Sequence, residues 1–146
     1  MTKPGADNLI SAVALAWGKE LKIGNFNDRL VMQKGCFLLN EMGVAPGYNF
    51  SLYIRGPYSS DLADDYYEIL GNKPISNDTS VDPKFIMNLS NIMSKGVNYL
   101  EAYSTLVLAH RYNPKLETDQ LKHFVFTMKP ALKKEIEEAS ESLFSQ

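Results

Sequence analysis

Apolar residues return at helical spacing along most of this chain, and turn-forming residues separate the stretches. Leu9, Ala12, Val13, Ala16 and Trp17 fall at i, i+3, i+4, i+7 and i+8, which predicts one apolar helical stripe behind a leader, residues 1–5, expected to fray. After Gly24-Asn25, the run Phe26-Asn27-Asp28 opens a second helix, with Asn27 as its cap and Phe26 stapled onto Val31. That helix runs to about Met42. Leu30, Val31, Met32, Cys36, Phe37, Leu38, Leu39 and Met42 surround most of its circumference, so it reads as the central, buried helix, with Gly43 as its left-handed terminator.

Pro46-Gly47 marks a turn, and Phe50, Leu52 and Ile54 then alternate with Asn49, Ser51, Tyr53 and Arg55. The alternation predicts one strand over residues 48–55, ended by Gly56-Pro57. Ser59 or Ser60 caps a short acidic helix that Gly71 closes, and residues 72–82 form a loop in which Ile75 and Val81 are the candidates for a second brief strand. Asp82-Pro83 starts a helix over about 83–94, and another follows Gly96 over about 98–112. Thr118 restarts the chain into a core stripe of Leu121, Phe124, Val125 and Met128 that stops at Lys129-Pro130. The last helix buries Leu132, Ile136, Ala139 and Leu143 and turns Glu135, Glu138 and Glu141 to water. The expected fold is mainly α, of the α+β class: a single domain over residues 1–146 with six or seven helices and one or two short antiparallel strands.

Composition narrows the function classes. Of 146 residues, 45% are hydrophobic and 22% charged, enough for one core. Fifteen Lys and Arg against seventeen Asp and Glu give a net charge of −2, so no overall positive field points to nucleic acid or an anionic membrane. Neither a secretion signal nor an apolar run of membrane-spanning length is visible, and the single Cys36 forms no internal disulfide; a cytoplasmic protein is expected.

The chain offers little catalytic chemistry. Asp61, Asp64, Asp65 and Glu68 share a helix face, but acids in a first turn are favoured by the helix dipole and no second cluster completes a two-metal site. Ser59, Ser60 and Ser104 lack a nucleophile elbow, His110 and His123 lie on helices whose other residues are apolar, and no phosphate-cradling glycine loop occurs. No catalytic residue, metal or cofactor is therefore expected. Gln33 and Lys34 are more informative, because they interrupt the most apolar helix, and Arg55 closes the strand just before Gly56-Pro57-Tyr58. On a helix with so little free surface, these side chains either occupy a narrow exposed strip or pair inside. The inside partners for Lys34 are Asp61 or Asp64 of the acidic helix, or carbonyls of residues 55–58.

Three segments carry a resemblance. Arg29-Leu-Val-Met-Gln-Lys34 resembles the RLxLQK opening of the small YwgA-like proteins, relatives of the SocA-like (Panacea) antitoxin domain. Phe50-Ser-Leu-Tyr-Ile-Arg-Gly-Pro-Tyr-Ser59 with Asp61-Leu-Ala-Asp64 resembles their FxxYxxGPYSxDLxxD turn, the most specific of the three. Leu100-Glu-Ala-Tyr-Ser-Thr-Leu106, Lys129-Pro130 and Glu135-Ile-Glu-Glu-Ala139 resemble their LExxATL and KP…EEIEEA endings. Gly35-Cys36 departs from the usual apolar pair after the lysine, and Ala131-Leu132 from the usual polar-aromatic start after Lys-Pro. The resemblance implies a winged-helix-like core, no enzymatic activity, and binding of other proteins, since SocA-like domains neutralise toxins or present them to proteolytic machinery.

The expected function is accordingly a protein-interaction module, antitoxin-like or a phage-related regulator. Its anchors are the aromatics Tyr48, Tyr53 and Tyr58 with the motif residues Gln33, Lys34, Arg55, Gly56, Pro57, Ser59 and Asp61. The partner is a protein, a toxin among the candidates, with self-association left open and no membrane involved. The alternative is a winged-helix nucleic-acid binder using Lys122, His123, Lys129, Lys133 and Lys134, against which stand the acids that follow at once.

Overall fold

The computed structural model describes residues 2–76 and 78–145, Asn72 by its backbone alone, and forms these elements in order. They are α1 (Ala6–Trp17), α2 (Phe26–Glu41), β1 (Ser51–Tyr53), β2 (Gly56–Tyr58), α3 (Ser60–Asn72), α4 (Pro83–Met93), α5 (Val97–Tyr112), α6 (Thr118–Met128) and α7 (Lys133–Phe144), with a 3₁₀ turn at Pro130–Leu132. The fold is mainly helical with one two-stranded antiparallel sheet, the α+β class that periodicity predicts. Among the described residues no helix is long and apolar enough to cross a membrane.

Helix starts follow local chemistry. Asn25 accepts from the Asp28 amide at 3.0 Å and caps α2, two residues before the expected Asn27, so Phe26 lies inside the first turn and not outside it as a staple. Ser59 caps α3 through Leu62 N at 3.2 Å, and Asp82 caps α4 ahead of Pro83.

The core is one cluster in which α2 is fully buried from Leu30 to Leu39, with α1 and α5 packed against it through residues such as Leu9, Val13, Leu100 and Leu106, while Ile136 of α7 extends the core on the α5 side. Cys36 belongs to that core, and burial pushes its thiol far above the ordinary range, which leaves it chemically quiet. Gly35 lets α1 and α2 approach closely: a Cβ there would stand 2.7 Å from Val13 Cγ1 and 3.0 Å from Met93 Cε.

Three expectations are corrected. Gly56-Pro57 does not end a long strand; it forms β2, paired with β1 in the register Ser51 to Tyr58, Leu52 to Pro57 and Tyr53 to Gly56. Gly56 supplies the hairpin's one positive φ, +94°, and the reversal carries Ile54 to the tip, where it is 88% exposed and not buried as the alternation requires. No second strand forms at Ile75 or Val81; the side chain of Asn8 on α1 takes the place of a strand partner, accepting from Ser80 N at 2.8 Å and from Thr79 Oγ1 at 2.7 Å. Asn77, within that loop, lies outside the described residues. In α6 only Leu121 and Val125 are buried, and Phe124 and Met128 face outward because the helix touches α5 and α7 along a narrow line.

Asn40 at the end of α2 aims the chain into the hairpin, donating to the carbonyls of Val44 and Pro46 at 2.9 and 2.8 Å and accepting from Tyr48 N at 2.8 Å. Tyr48 is then buried against α3, its hydroxyl donating to Asp65 Oδ2 at 2.6 Å.

The Gly35 contact gives a first prediction. Alanine is the better helix former by about 1 kcal/mol, but Val13 is stiff at χ1 and the added methyl forces the helices apart at a cost of about 1–3 kcal/mol. Gly35→Ala is expected to lower stability in a urea melt, and Val13→Ala is expected to cost less in that background than alone.

Candidate functional site

β2 lies beside α2 with its outer edge turned to an apolar helix, where water cannot satisfy peptide groups. Gln33 and Lys34 take that role. The Gln33 carboxamide donates to Ser59 O at 3.0 Å and accepts from Ser59 N at 2.9 Å, as a neighbouring strand would, and Lys34 Nζ donates to Pro57 O at 2.8 Å. Pro57 has no N–H to leave stranded and offers only this carbonyl, so proline fits the position. Of the inside partners open to Lys34, the turn carbonyl is the one observed; Asp61 and Asp64 are not its partners.

The far side of the turn is held by Lys129, the residue after α6, which donates to Ile54 O and to Glu101 Oε2 of α5, the latter at 2.8 Å. Lys129 and Glu101 are almost fully buried, so the carboxylate offsets the cost of taking the ammonium out of water. One turn on, Thr105 donates to Glu101 O at 2.6 Å and presents its Oγ1 to Gly56, where a Cβ would stand 2.6 Å away. Residues from α2, α5 and the end of α6, separated along the chain, thus meet around one turn.

Burial drives the Lys34 ammonium down from its ordinary 10.5 to about 7; attraction to Glu101 opposes this, while repulsion from Lys129 and Arg55 adds to it. Burial also pushes the Tyr66 phenol on α3 up to about 12, against a smaller pull from Gln33. Tyr48 is raised far beyond the usual phenol range by burial and by its bond to Asp65.

Above this framework opens a cleft of about 810 Å³ between α2, the hairpin, α3 and the end of α6. Phe26, Tyr53, Tyr58, Tyr66 and Tyr67 give it aromatic walls, with Leu30, Leu52, Ile54 and Met128 completing the apolar surface. Tyr53 and Tyr58 stack at 5.2 Å between ring centroids, and the Arg29 and Arg55 guanidiniums both lie over the Phe26 ring, at 5.8 and 5.4 Å. Such a volume and lining suit an apolar body with a few fixed polar contacts.

Six of the residues singled out from sequence line this cleft: Gln33, Lys34, Tyr53, Arg55, Gly56 and Tyr58. Pro57 and Ser59 are buried beneath it as anchors. Asp61 lies elsewhere, on the exposed face of α3, in an acidic depression with Lys3, Asp64, Asp65 and Glu68; among the described residues no group of His, Cys, Asp or Glu could hold a metal. Tyr48 is buried and contributes nothing to an exposed aromatic surface, a correction that follows from its bond to Asp65. Two members of the expected basic patch are engaged: Lys129 is buried with Glu101, and Lys122 pairs with Glu137 at 2.8 Å. Ser104 donates its hydroxyl to Leu100 O at 2.8 Å within α5. Periodicity does not mark Phe26, Arg29, Tyr66, Tyr67 or Met128 as cleft residues. The cleft they line is visible only once α2, α3 and α6 are brought side by side. No family model, curated protein or solved structure matches the chain.

Two outcomes follow from this geometry. Gly56→Ala must place a side chain at positive φ and against Thr105, and is expected to cost on the order of 2 kcal/mol in a thermal or urea melt. Adding Thr105→Ala removes the contact but not the backbone strain, so it should recover only part of the loss. For Lys34, the unfolded chain holds its proton up to about 10.5 and the folded chain only to about 7, so more protons are bound when unfolded between those values. Stability from this residue therefore rises with pH across that window and is lost as pH falls through 7, by at most about 1.4 kcal/mol per unit. Lys34→Met leaves Pro57 O unsatisfied, costing about 1–3 kcal/mol. Urea melts should show the variant clearly weaker than wild type at pH 9, with the gap narrowing at pH 6.

Proposed function

We propose that this chain is a non-enzymatic protein-binding module and that the aromatic cleft beside the hairpin is its binding site. The observation that carries the reading is the convergence, on one open cleft of about 810 Å³, of exposed Tyr53, Ile54 and Arg55 with Tyr58 and Phe26, all backed by a buried polar framework that holds the tip in place. Aromatic and arginine side chains on a rigid support give large contact area with few torsions to freeze, the composition of interface anchors. The resemblance to YwgA-like proteins, remote relatives of the SocA-like domain, supports an antitoxin-like or phage-related regulatory role, with a toxin as one kind of partner, and a winged-helix-like core in which the hairpin stands in the place of a wing. The nucleic-acid alternative is weaker because Lys122 and Lys129 already have carboxylate partners.

The test is capture from an extract of the native cell, with nuclease treatment and with two cleft variants: Ile54→Glu, whose exposed side chain should leave the melting temperature at the wild-type value, and Tyr53→Ala, which gives up its stack on Tyr58 and whose melt must show it folded at the capture temperature. A protein retained by wild type after nuclease treatment and lost with both variants is the expected result. Retention that ignores both variants, or that disappears with nuclease, overturns the reading.

A further inference from the structure

We propose that the cleft selects an acidic peptide segment, one in which a carboxylate lies beside an aliphatic or aromatic side chain. This rests on the protein-binding reading above and specifies the chemistry of its partner. The cleft's exposed charged lining is one-sided: Arg29 and Arg55 contribute to it and no Asp or Glu does, although acids outnumber bases in the whole chain, and Lys34 lies beneath, buried against Pro57 O. Among the described residues neither arginine has a carboxylate partner. Arg29 donates to Ile23 O at 2.7 Å, and Arg55, at the exposed hairpin tip, only lies over Phe26. The nearby Glu101 is held by Lys129 and does not neutralise this edge.

Stacking on a shared ring limits how each guanidinium can turn while leaving N–H groups at its edge free, the arrangement that receives a carboxylate through paired hydrogen bonds. The aromatic and aliphatic walls stand within the same cleft, so one segment places its carboxylate on the arginines and its apolar side chain among Tyr53, Tyr58, Tyr67 and Met128. A nucleic-acid strand shares the anionic and aromatic chemistry, but it needs a track of phosphate contacts, and two lysines of the adjoining basic stretch are already paired.

The probes are a displayed library of random dodecapeptides selected on the folded protein and, separately, a dodecathymidylate oligonucleotide. Enriched peptides should carry Asp or Glu within two positions of Leu, Ile, Phe or Trp. Replacing that acid by its amide should weaken binding at least tenfold, and raising salt from 50 to 500 mM should weaken it several-fold. Selection on Arg55→Glu, whose exposed side chain leaves folding intact, should enrich basic peptides instead. Enrichment of neutral or basic peptides on wild type, or acidic peptides that bind Arg55→Glu equally well, overturns this proposal and leaves the protein-binding reading standing. Tighter binding of the oligonucleotide than of any peptide, lost in Arg55→Glu, or no enrichment at all, overturns both.

Discussion

Peptide groups placed where water cannot reach them govern this structure. The hairpin packs its second strand and its turn against helices whose neighbouring surfaces are apolar, and each carbonyl or amide left facing inward must find a partner or cost the fold on the order of 1–3 kcal/mol. Three long polar side chains supply those partners: Gln33 and Lys34 from α2, and Lys129 from beyond α6. The rest adapts to them. Lys129 requires Glu101 beside it, Glu101 in turn softens the burial of Lys34, and Thr105, on the turn of helix that follows, leaves room at Gly56 for a hydrogen atom only. Lys34 is at the strained end of this arrangement, 1% exposed with a single carbonyl as its hydrogen-bond partner, which is why its proton is held so weakly.

Much of the helical frame was legible because it depends on local rules. Asp82-Pro83, the Ser59 cap and the apolar circumference of α2 each carry their own signal, and the structure puts helix boundaries within a few residues of them. The hairpin was not, because its evidence is divided between a turn glycine and partners more than twenty residues away. Alternation through Phe50, Leu52 and Ile54 is a strand signal only as far as Tyr53; beyond it the chain reverses, and Ile54 is carried out into solvent. Tyr48 was misplaced for a related reason, since the Asp65 carboxylate that receives its hydroxyl belongs to a different helix.

The candidate site divides along the same line. Gln33 and Lys34 stand out in sequence as polar residues inside an apolar helix; of the two readings this leaves open, an exposed strip or pairing inside, the second is the one observed, at the turn. Lys129 reads as one of a run of surface lysines, because nothing adjacent in sequence reveals Glu101 beside it. The aromatic walls come from four elements that contribute one or two residues each, too few on any single element to form a stripe. That Gln33, Lys34, Glu101, Thr105 and Lys129, scattered along the chain, come together at Gly56-Pro57 is a fact of tertiary structure, and it gives them one shared physical task.

The clamp around the hairpin grips main chain and ignores side chains. Ile54 and Pro57 are held by their carbonyls and Ser59 by its amide and carbonyl, so the identities of Tyr53, Ile54 and Arg55 do not enter the grip. Substitution at the tip therefore leaves its position in space intact while rewriting the surface it presents. In evolutionary terms the scaffold separates holding from presenting: three consecutive codons can change the exposed tip without each change having to be repaired in the core.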